Sequence, residues 1–183
     1  MKTVPTLVTE RLILDQIIPV DIPNIVAYAG NKKITNTTRT MPHPYFEEDA
    51  IAWINMANQG FKNKDMFIFA LRDKVDKSFK GGIGLTLNTE NNRAEIGYWI
   101  AEKFWGMGYT TEAVKAVLKF GFEKLELNKI TAVYIDTNIA SGKIMDKNGM
   151  VKEGELKNHD IKLGEYQTLI QYRMLRSEYD ALN

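Results

Sequence analysis

RAEIGYWIAEKFWGMGYTTE, residues 93 to 112, is the stretch from which the rest of the chain can be read. Residues 93 to 100 alternate as a strand does, with Ala94, Ile96, Tyr98 and Ile100 on one face and Glu95, Gly97 and Trp99 on the other. Glu95 is the one acidic group on its face. Gly106 and Gly108 follow, then Thr110, Thr111 and a helical run. Glycine reaches backbone conformations closed to other residues, so successive N–H groups in such a turn can converge on an anion with no Cβ in the way. Thr110 or Thr111 is the expected cap of the helix, whose unpaired amides and positive dipole end face the same spot. Strand, glycine turn and helix in this order predict a pyrophosphate cradle. A tight turn that binds nothing has the same G-x-G spacing, so that feature alone leaves both readings open.

Two better-known phosphate loops are excluded. There is no G-x-x-x-x-G-K-[ST], and position 111 is Thr where G-x-G-x-x-G needs Gly. The strings AEIGYWI (94–100) and WGMGYTTEA (105–113) together resemble the acyl-CoA signature of the GNAT N-acetyltransferases, in the branch typified by the RimJ and RimL ribosomal-protein N-terminal acetyltransferases. The resemblance runs from Thr9 to about Arg176 and is strongest from Glu95 to Gly154. In that family a Q/R-x-x-G-x-G/A loop wraps the CoA pyrophosphate. The resemblance therefore implies acetyl-CoA contacts from Trp99 and Ile100 at the strand end and from Trp105, Gly106, Met107, Gly108, Tyr109, Thr110 and Thr111. Thr110 stands where the superfamily has Gly or Ala, and a hydroxyl is small enough for the turn.

Length and composition narrow the class. A chain of 183 residues predicts a single domain spanning 1–183, long enough to bury a sizeable core. Twenty-four basic against 23 acidic residues, with no basic run, argue against a nucleic-acid partner. No apolar run reaches the roughly 18 residues of a membrane helix, and residues 1–5 lack a signal-peptide core, which points to a cytoplasmic protein with no membrane partner. With no Cys, and with His43 and His159 the only histidines, neither a disulfide framework nor a metal site is expected. The lack of Cys also removes a thioester on the enzyme, so acyl transfer would be direct, within a ternary complex.

Along the chain, TERLILDQI (9–17) alternates as a first strand, and it is also how many members of the resembled family begin. Residues 20–29 carry helical spacing, with Asp21 as cap and Pro23 in the first turn. Residues 30–44, with four Thr and no periodicity, predict an exposed loop. Residues 46–61 predict a helix with Glu47, Glu48 and Asp49 in its first turn. Strands are expected at 66–72, 82–88, 93–100 and 130–136, helices at 111–124 and 138–148, and closing strands at 150–156 and 167–175 separated by a polar loop. The last eight residues predict a tail. The sum is an α+β fold. The resemblance makes it a GNAT-like twisted mixed sheet, mostly antiparallel, of about seven strands and about four helices, with the fourth and fifth strands splayed at the cofactor.

The approach PHPYFEEDAIAWI (42–54) is similar to the family segment that lines the amine-acceptor groove, which gives Arg39, His43, Tyr45 and Phe46 a substrate-binding role by resemblance. Tyr45 and Phe46 as a helix-entry staple, with His43 solvated, is the alternative. Asn138-Ile139-Ala140-Ser141 resembles the family's N-x-x-S, whose Asn holds the pantetheine arm and whose Ser lies near the thioester sulfur; Asn138 could equally cap the helix after it. Lys143 and Lys147 are within reach of the CoA 3′-phosphate. The family's usual proton-donating Tyr is replaced by Met145, and Thr168 stands where the family commonly has Asp. Ser141 or water is then the donor to the leaving thiolate, or the thiolate, with a pKa near 8.5, leaves unprotonated.

Amine acetylation also needs a neutral amine. An α-amine with pKa near 8 is roughly 10% neutral at pH 7, whereas a lysine amine near 10.4 is neutral in only about 0.04% of molecules, a further ~3 kcal/mol to supply. A modest carboxylate serves the former. Glu95 is the expected base, directly or through water, because a carboxylate partly desolvated in a groove becomes more basic; Asp136 is the other carboxylate in reach. Glu112 reads as structural, since an acid in a first helical turn favours the dipole. The expected activity is an acetyl-CoA-dependent N-acetyltransferase acting on a primary amine, with a peptide or protein N-terminal α-amine favoured. A small amine (antibiotic, amino acid or polyamine) and a non-catalytic acyl-CoA-binding protein are the alternatives, and a homodimer is an open option.

Overall fold

The computed structural model describes residues 3–182. One eight-stranded sheet runs in the order β1-β2-β3-β4-β5-β6-β8-β7. Its strands are β1 (Leu7–Val8), β2 (Leu12–Asp15), β3 (Met66–Asp73), β4 (Phe79–Asn88), β5 (Arg93–Ile100), β6 (Lys129–Ile135), β7 (Val151–Lys162) and β8 (Glu165–Leu175). Six helices accompany it: α1 (Ile22–Ala29), α2 (Lys32–Thr37), α3 (Glu47–Asn63), α4 (Tyr109–Glu123), α5 (Ile139–Lys147) and α6 (Arg176–Leu182). Every neighbouring strand pair is antiparallel except β5 with β6. The α+β, mostly antiparallel expectation therefore holds, with eight strands and six helices where about seven and about four were expected.

The extra elements lie where local sequence is least periodic. Residues 9–11 turn against Glu112 of α4, so the expected first strand 9–17 shortens to β2, and β1 is an added strand ahead of it. The expected loop 30–44 contains α2, one and a half turns capped by Asn31, whose side chain accepts from the Lys33 amide at 2.9 Å, with Ile34 and Thr35 buried beneath. The polar loop expected between the closing strands is a continuous hairpin. It turns at Leu163 (φ +52°) and Gly164 (φ +83°), two left-handed residues as a two-residue hairpin turn requires, but without the Asn-Gly or Asp-Gly that announces one. The expected tail is α6, which stacks Tyr179 on Phe122 at 4.7 Å.

Alternation along β5 divides the molecule into two cores. Ala94 and Ile96 join Val114, Val117, Leu118 and Phe120 of α4 on one face. Phe120 meets Phe67 and Phe69 edge-on at 5.4 and 5.8 Å, contacts whose removal by truncation to Ala costs about 3–5 kcal/mol. On the other face α1 and α3 pack Ile25, Ala29, Ala50 and Ile54 over Ala70 and Phe79, with Trp53 and Trp99 beside them. Buried Arg72 ties β2 and the entry to α1 to β3 through Asp15 (2.6 Å) and both oxygens of Asp21 (2.7 and 2.8 Å). Removing one member of such a buried set costs about 3–5 kcal/mol, because the others are left charged without a partner.

The sheet opens in its middle. β5 and β6 pair only from Arg93↔Lys129 to Ile96↔Ala132. Beyond that point β5 stays with β4 to Ile100 and β6 stays with β8 to Ile135. The two strands therefore diverge after Ile96, the splay that the resemblance implied, and Tyr98, Trp99, Val133 and Tyr134 border the gap.

Candidate functional site

The gap separates two cavities. The first, about 480 Å³, lies where β5 runs into α4. α4 begins at Tyr109 with Gly108 (φ +79°) in the cap position and no side-chain cap, so the expected threonine cap is absent; Thr110 is buried and Thr111 is the third helical residue. The first intrahelical bond is donated by Glu112 to the Gly108 carbonyl at 3.1 Å, which leaves the amides of Tyr109, Thr110 and Thr111 ahead of the helical ladder. Gly106 (φ +75°) shares the left-handed conformation. A Cβ at Gly106 would meet nothing within 4 Å, and one at Gly108 only Arg11 Nη2 at 3.4 Å. Backbone conformation rather than crowding thus demands glycine at both positions, which fits a loop whose working groups are its amides, as a pyrophosphate needs.

Cations surround this loop. Lys143 and Lys147 line the cavity, while Lys80 Nζ lies 4.1 Å from the Phe104 ring and 4.9 Å from the Tyr109 ring. Arg11 stands over Tyr109 at 4.6 Å and donates from Nη1 to the Met107 carbonyl at 2.9 Å. Glu112 receives the Thr9 hydroxyl at 2.6 Å, the Arg11 amide at 2.8 Å and Arg11 Nε at 2.7 Å. Burial works against its charge, but these bonds prevail and hold its carboxyl below the ordinary range. Glu112 is thus the anchor that holds the residue 9–11 turn against the loop.

The second cavity, about 730 Å³, lies on the α3 face. Gly82, Gly84 and Thr86 of β4 and Glu95, Gly97 and Trp99 of β5 form its floor, with Trp53, Met56, Tyr45 and residues 37–42 around it. Glu95 is here, but its side chain is 48% exposed, so the expected desolvation is not found. One carboxylate oxygen accepts from Arg39 Nη1 at 3.0 Å, and Arg39 Nε donates to Asp160 at 2.9 Å. Arg39 therefore bridges β5 to the β7–β8 hairpin, whose Lys162 donates to the carbonyls of Thr35 and Thr38. Burial, with the Asp49 charge added, pushes the Tyr45 hydroxyl up to about 12.

Five residues, Thr37, Thr38, Tyr98, Trp99 and Ser141, line both cavities. Asn138 Nδ2 donates to the Thr37 carbonyl and to Ser141 Oγ, each at 3.0 Å, while Asn138 Oδ1 accepts from the Ser141 amide at 3.3 Å. Asn138 therefore caps α5 and orients the serine together. With Oγ accepting from Asn138, the Ser141 proton is left to donate elsewhere. The Tyr98 hydroxyl, raised to about 12 chiefly by burial, donates to the Ser141 carbonyl at 3.4 Å.

Of the residues singled out from sequence, Trp99, Ile100, Trp105, Gly106, Gly108, Tyr109, Thr110, Thr111, Asn138, Ser141 and Lys143 line the smaller cavity, and Arg39, Tyr45 and Glu95 the larger. Met107 lines neither, being 52% exposed with its carbonyl taken by Arg11. His43 and Phe46 also line neither. Phe46 precedes α3 at 58% exposure, its amide donating to Asp49 at 2.8 Å, and His43 is exposed. Asp136, just after β6, is exposed and lines neither cavity. Sequence reading missed Tyr98, Trp53, Asp160 and the β4 glycines; repeated glycine inside a strand was the available signal, since it marks close approach to the backbone.

Residues 11–151 match the Acetyltransferase (GNAT) domain. The chain is 30% identical over 178 residues to the uncharacterized N-acetyltransferase p20 of Bacillus licheniformis, covering 95% of this chain and 98% of that protein. The crystal structure of a GNAT-family acetyltransferase from Bacillus anthracis superposes with a TM-score of 0.84 at 25% identity, over 94% of this chain and 99% of that one. RimL, the ribosomal L7/L12 α-N-protein acetyltransferase in complex with coenzyme A, superposes with a TM-score of 0.84 at 16% identity, over 95% and 98% of the two chains.

Proposed function

The chain belongs to the GNAT acetyltransferase family, and from that premise we propose that it transfers the acetyl group of acetyl-CoA directly to the α-amine of a peptide or protein N-terminus. The observation that carries the reading is the meeting of a glycine-amide cradle and a carboxylate-bearing cavity at Tyr98, Trp99 and Ser141. The likeness to RimL, which acts on a protein α-amine and is seen with coenzyme A, supports both substrates.

In this reading the amides after Gly106 and Gly108 hold the pyrophosphate, Lys143 and Lys147 neutralise the outer phosphate, and Asn138 steers the pantetheine arm past Thr37. Glu95, directly or through water, takes the proton of the attacking amine as nitrogen bonds to the thioester carbon. The carbon–sulfur bond then breaks, and the sulfur leaves as a thiolate that the Ser141 hydroxyl hydrogen-bonds and water protonates, while the Tyr98 hydroxyl holds the Ser141 carbonyl. Arg39 positions Glu95 and leaves the second carboxylate oxygen open. An α-amine, already partly neutral at pH 7, asks far less of such a base than a lysine amine does.

Thiol release from acetyl-CoA, followed with a disulfide chromogen across N-terminal peptides, amino-acid amides, lysine side-chain amines and polyamines, tests the reading. Saturable release with α-amines is expected. Release confined to lysine side chains or polyamines overturns the acceptor assignment, and coenzyme binding without amine-dependent release overturns the transfer itself.

A further inference from the structure

We infer that the acceptor carries a large apolar side chain, aromatic or thioether, beside its primary amine, seated on the bare strip of sheet that Gly84 and Gly97 form. This rests on the acetyl-transfer reading above and narrows its acceptor.

Gly84 and Gly97 face one another across the β4–β5 ladder, and Gly82 pairs with Trp99 one step along. All of them lie on the cavity floor, but the reasons for glycine differ. A Cβ at Gly82 would strike Trp53 Cη2 at 2.5 Å, and one at Gly84 the Phe67 carbonyl at 2.6 Å, so packing demands glycine at both. A Cβ at Gly97 would meet nothing within 4 Å, and its backbone is ordinary extended strand. Nothing in the fold asks for glycine there, although glycine inside a strand lowers stability relative to other residues. Position 97 lies on the cavity face between Glu95 and Trp99. The room above it is therefore room for a group brought in from outside, one strand step from the carboxylate that would take the amine's proton.

The walls define that group. Trp53 and Trp99 stand 5.9 Å apart at 59°, a tilted pair suited to receiving a third ring or a thioether at its edge, and Met41, Met56 and Ile68 extend the same surface. Charge is sparse by comparison. Of the two carboxylates on the cavity wall, Asp49 accepts the Phe46 amide and Glu95 is shared with Arg39. One ammonium has a partner near Glu95, whereas the remote cation of a polyamine would be desolvated against tryptophan and methionine with only Asp49, already bonded to the Phe46 amide, to meet it.

The test compares one peptide series differing only in its first residue (Phe, Met, Leu, Ala, Ser or Gly) with the corresponding amino-acid amides and with spermidine, for the native chain and for Gly97→Val. Valine fits the extended backbone and its Cβ meets nothing within 4 Å, so acetyl-CoA affinity should be unchanged and Tm unchanged or raised while the room over position 97 is filled. The native chain should favour Phe and Met over Ala and Ser at least tenfold in kcat/KM, and Gly97→Val should reduce that ratio at least tenfold. Amides as good as peptides would identify a free amino compound, and better peptides a chain terminus; both support the inference. Ala, Ser or spermidine used as well as Phe, or a ratio untouched by Gly97→Val, overturns it. Coenzyme binding with no turnover of any amine instead overturns the acetyl-transfer reading on which it rests.

Discussion

The two cavities share five residues yet are built in opposite ways. The smaller is made mostly from one run, 98–111, completed by α5 with Thr137 and Asn138 before it and by Ile34, Thr37 and Thr38, and in the proposed reading its working groups are backbone amides held by glycine conformation and by the Arg11–Glu112 clasp. The larger is assembled from segments far apart in the chain: residues 37–56, Ile68 of β3, four positions on β4, five on β5, the end of β6 and Ser141, with Arg39 holding both Glu95 and Asp160, the latter 121 positions away in sequence. A site for an invariant ligand can be written as a local motif, because pyrophosphate asks only for converging N–H groups. A site that must suit one particular acceptor is free to draw on every element that borders the gap. Perturbations of the first should therefore appear in coenzyme affinity, and those of the second in acceptor selectivity and in the chemical step.

Glu95→Gln should have the largest effect. Removing a general base typically costs 10²–10⁴-fold in rate, and a fall in kcat of about 100-fold is expected at pH 7. The loss should shrink towards pH 9, where an α-amine with pKa near 8 is mostly neutral unaided. A loss independent of pH would make Glu95 a positioning residue, and no loss would remove it from the mechanism. Acetyl-CoA affinity should not change, because Glu95 belongs to the other cavity.

Gly108→Val is the converse. A β-branched residue at φ +79° strains the loop and brings a Cβ close to the Arg11 guanidinium, so the Kd for CoA should rise at least tenfold, about 1.4 kcal/mol. Titration calorimetry of the folded variant measures it, and an unchanged Kd rejects the cradle. The ratio of kcat/KM values for two acceptors should stay as in the native chain, since only the shared coenzyme site is altered.

How far each cavity was legible follows from the same contrast. The strand-turn-helix order of 93–112, the alternation of β5 and the splay implied by resemblance placed the glycine turn at the smaller cavity and Glu95 at the larger. The threonine cap failed because Gly108 takes the cap position itself, a choice that depends on where the left-handed turn ends. Asp160 was hidden because the β7–β8 hairpin turns on Leu163-Gly164, and because residues 157–159 bulge opposite Thr168, a register no local pattern announces. His43 and Phe46 were borrowed by resemblance from a segment whose neighbours, Arg39 and Tyr45, face the cavity while they do not. Long-range pairing put these groups in place, and periodicity reports only short range.

The smallest effect is expected at the clasp. Glu112→Gln keeps the shape but weakens three bonds to a charged acceptor, and with Arg11 half exposed a loss of about 1–2 kcal/mol in stability is expected at pH 7. The Glu112 carboxyl is depressed in the folded chain, so its contribution is fully present above the ordinary carboxylate value near 4.3 and is lost as pH falls through the lower folded value. The Tm difference between native chain and variant should therefore be constant from pH 7 to about 5 and close in more acidic solution. A difference that persists unchanged into acid would mean that the charge on Glu112 does not hold the turn.

That both cavities act at once on one transfer step is the central claim, and initial rates measured over a grid of acetyl-CoA and acceptor concentrations test it most directly. Direct transfer where the cavities meet, in a chain without cysteine, predicts double-reciprocal lines that intersect and a protein that retains no label from acetyl-labelled coenzyme in the absence of acceptor. Parallel lines, with the acetyl group left on the protein before any amine is added, would contradict it.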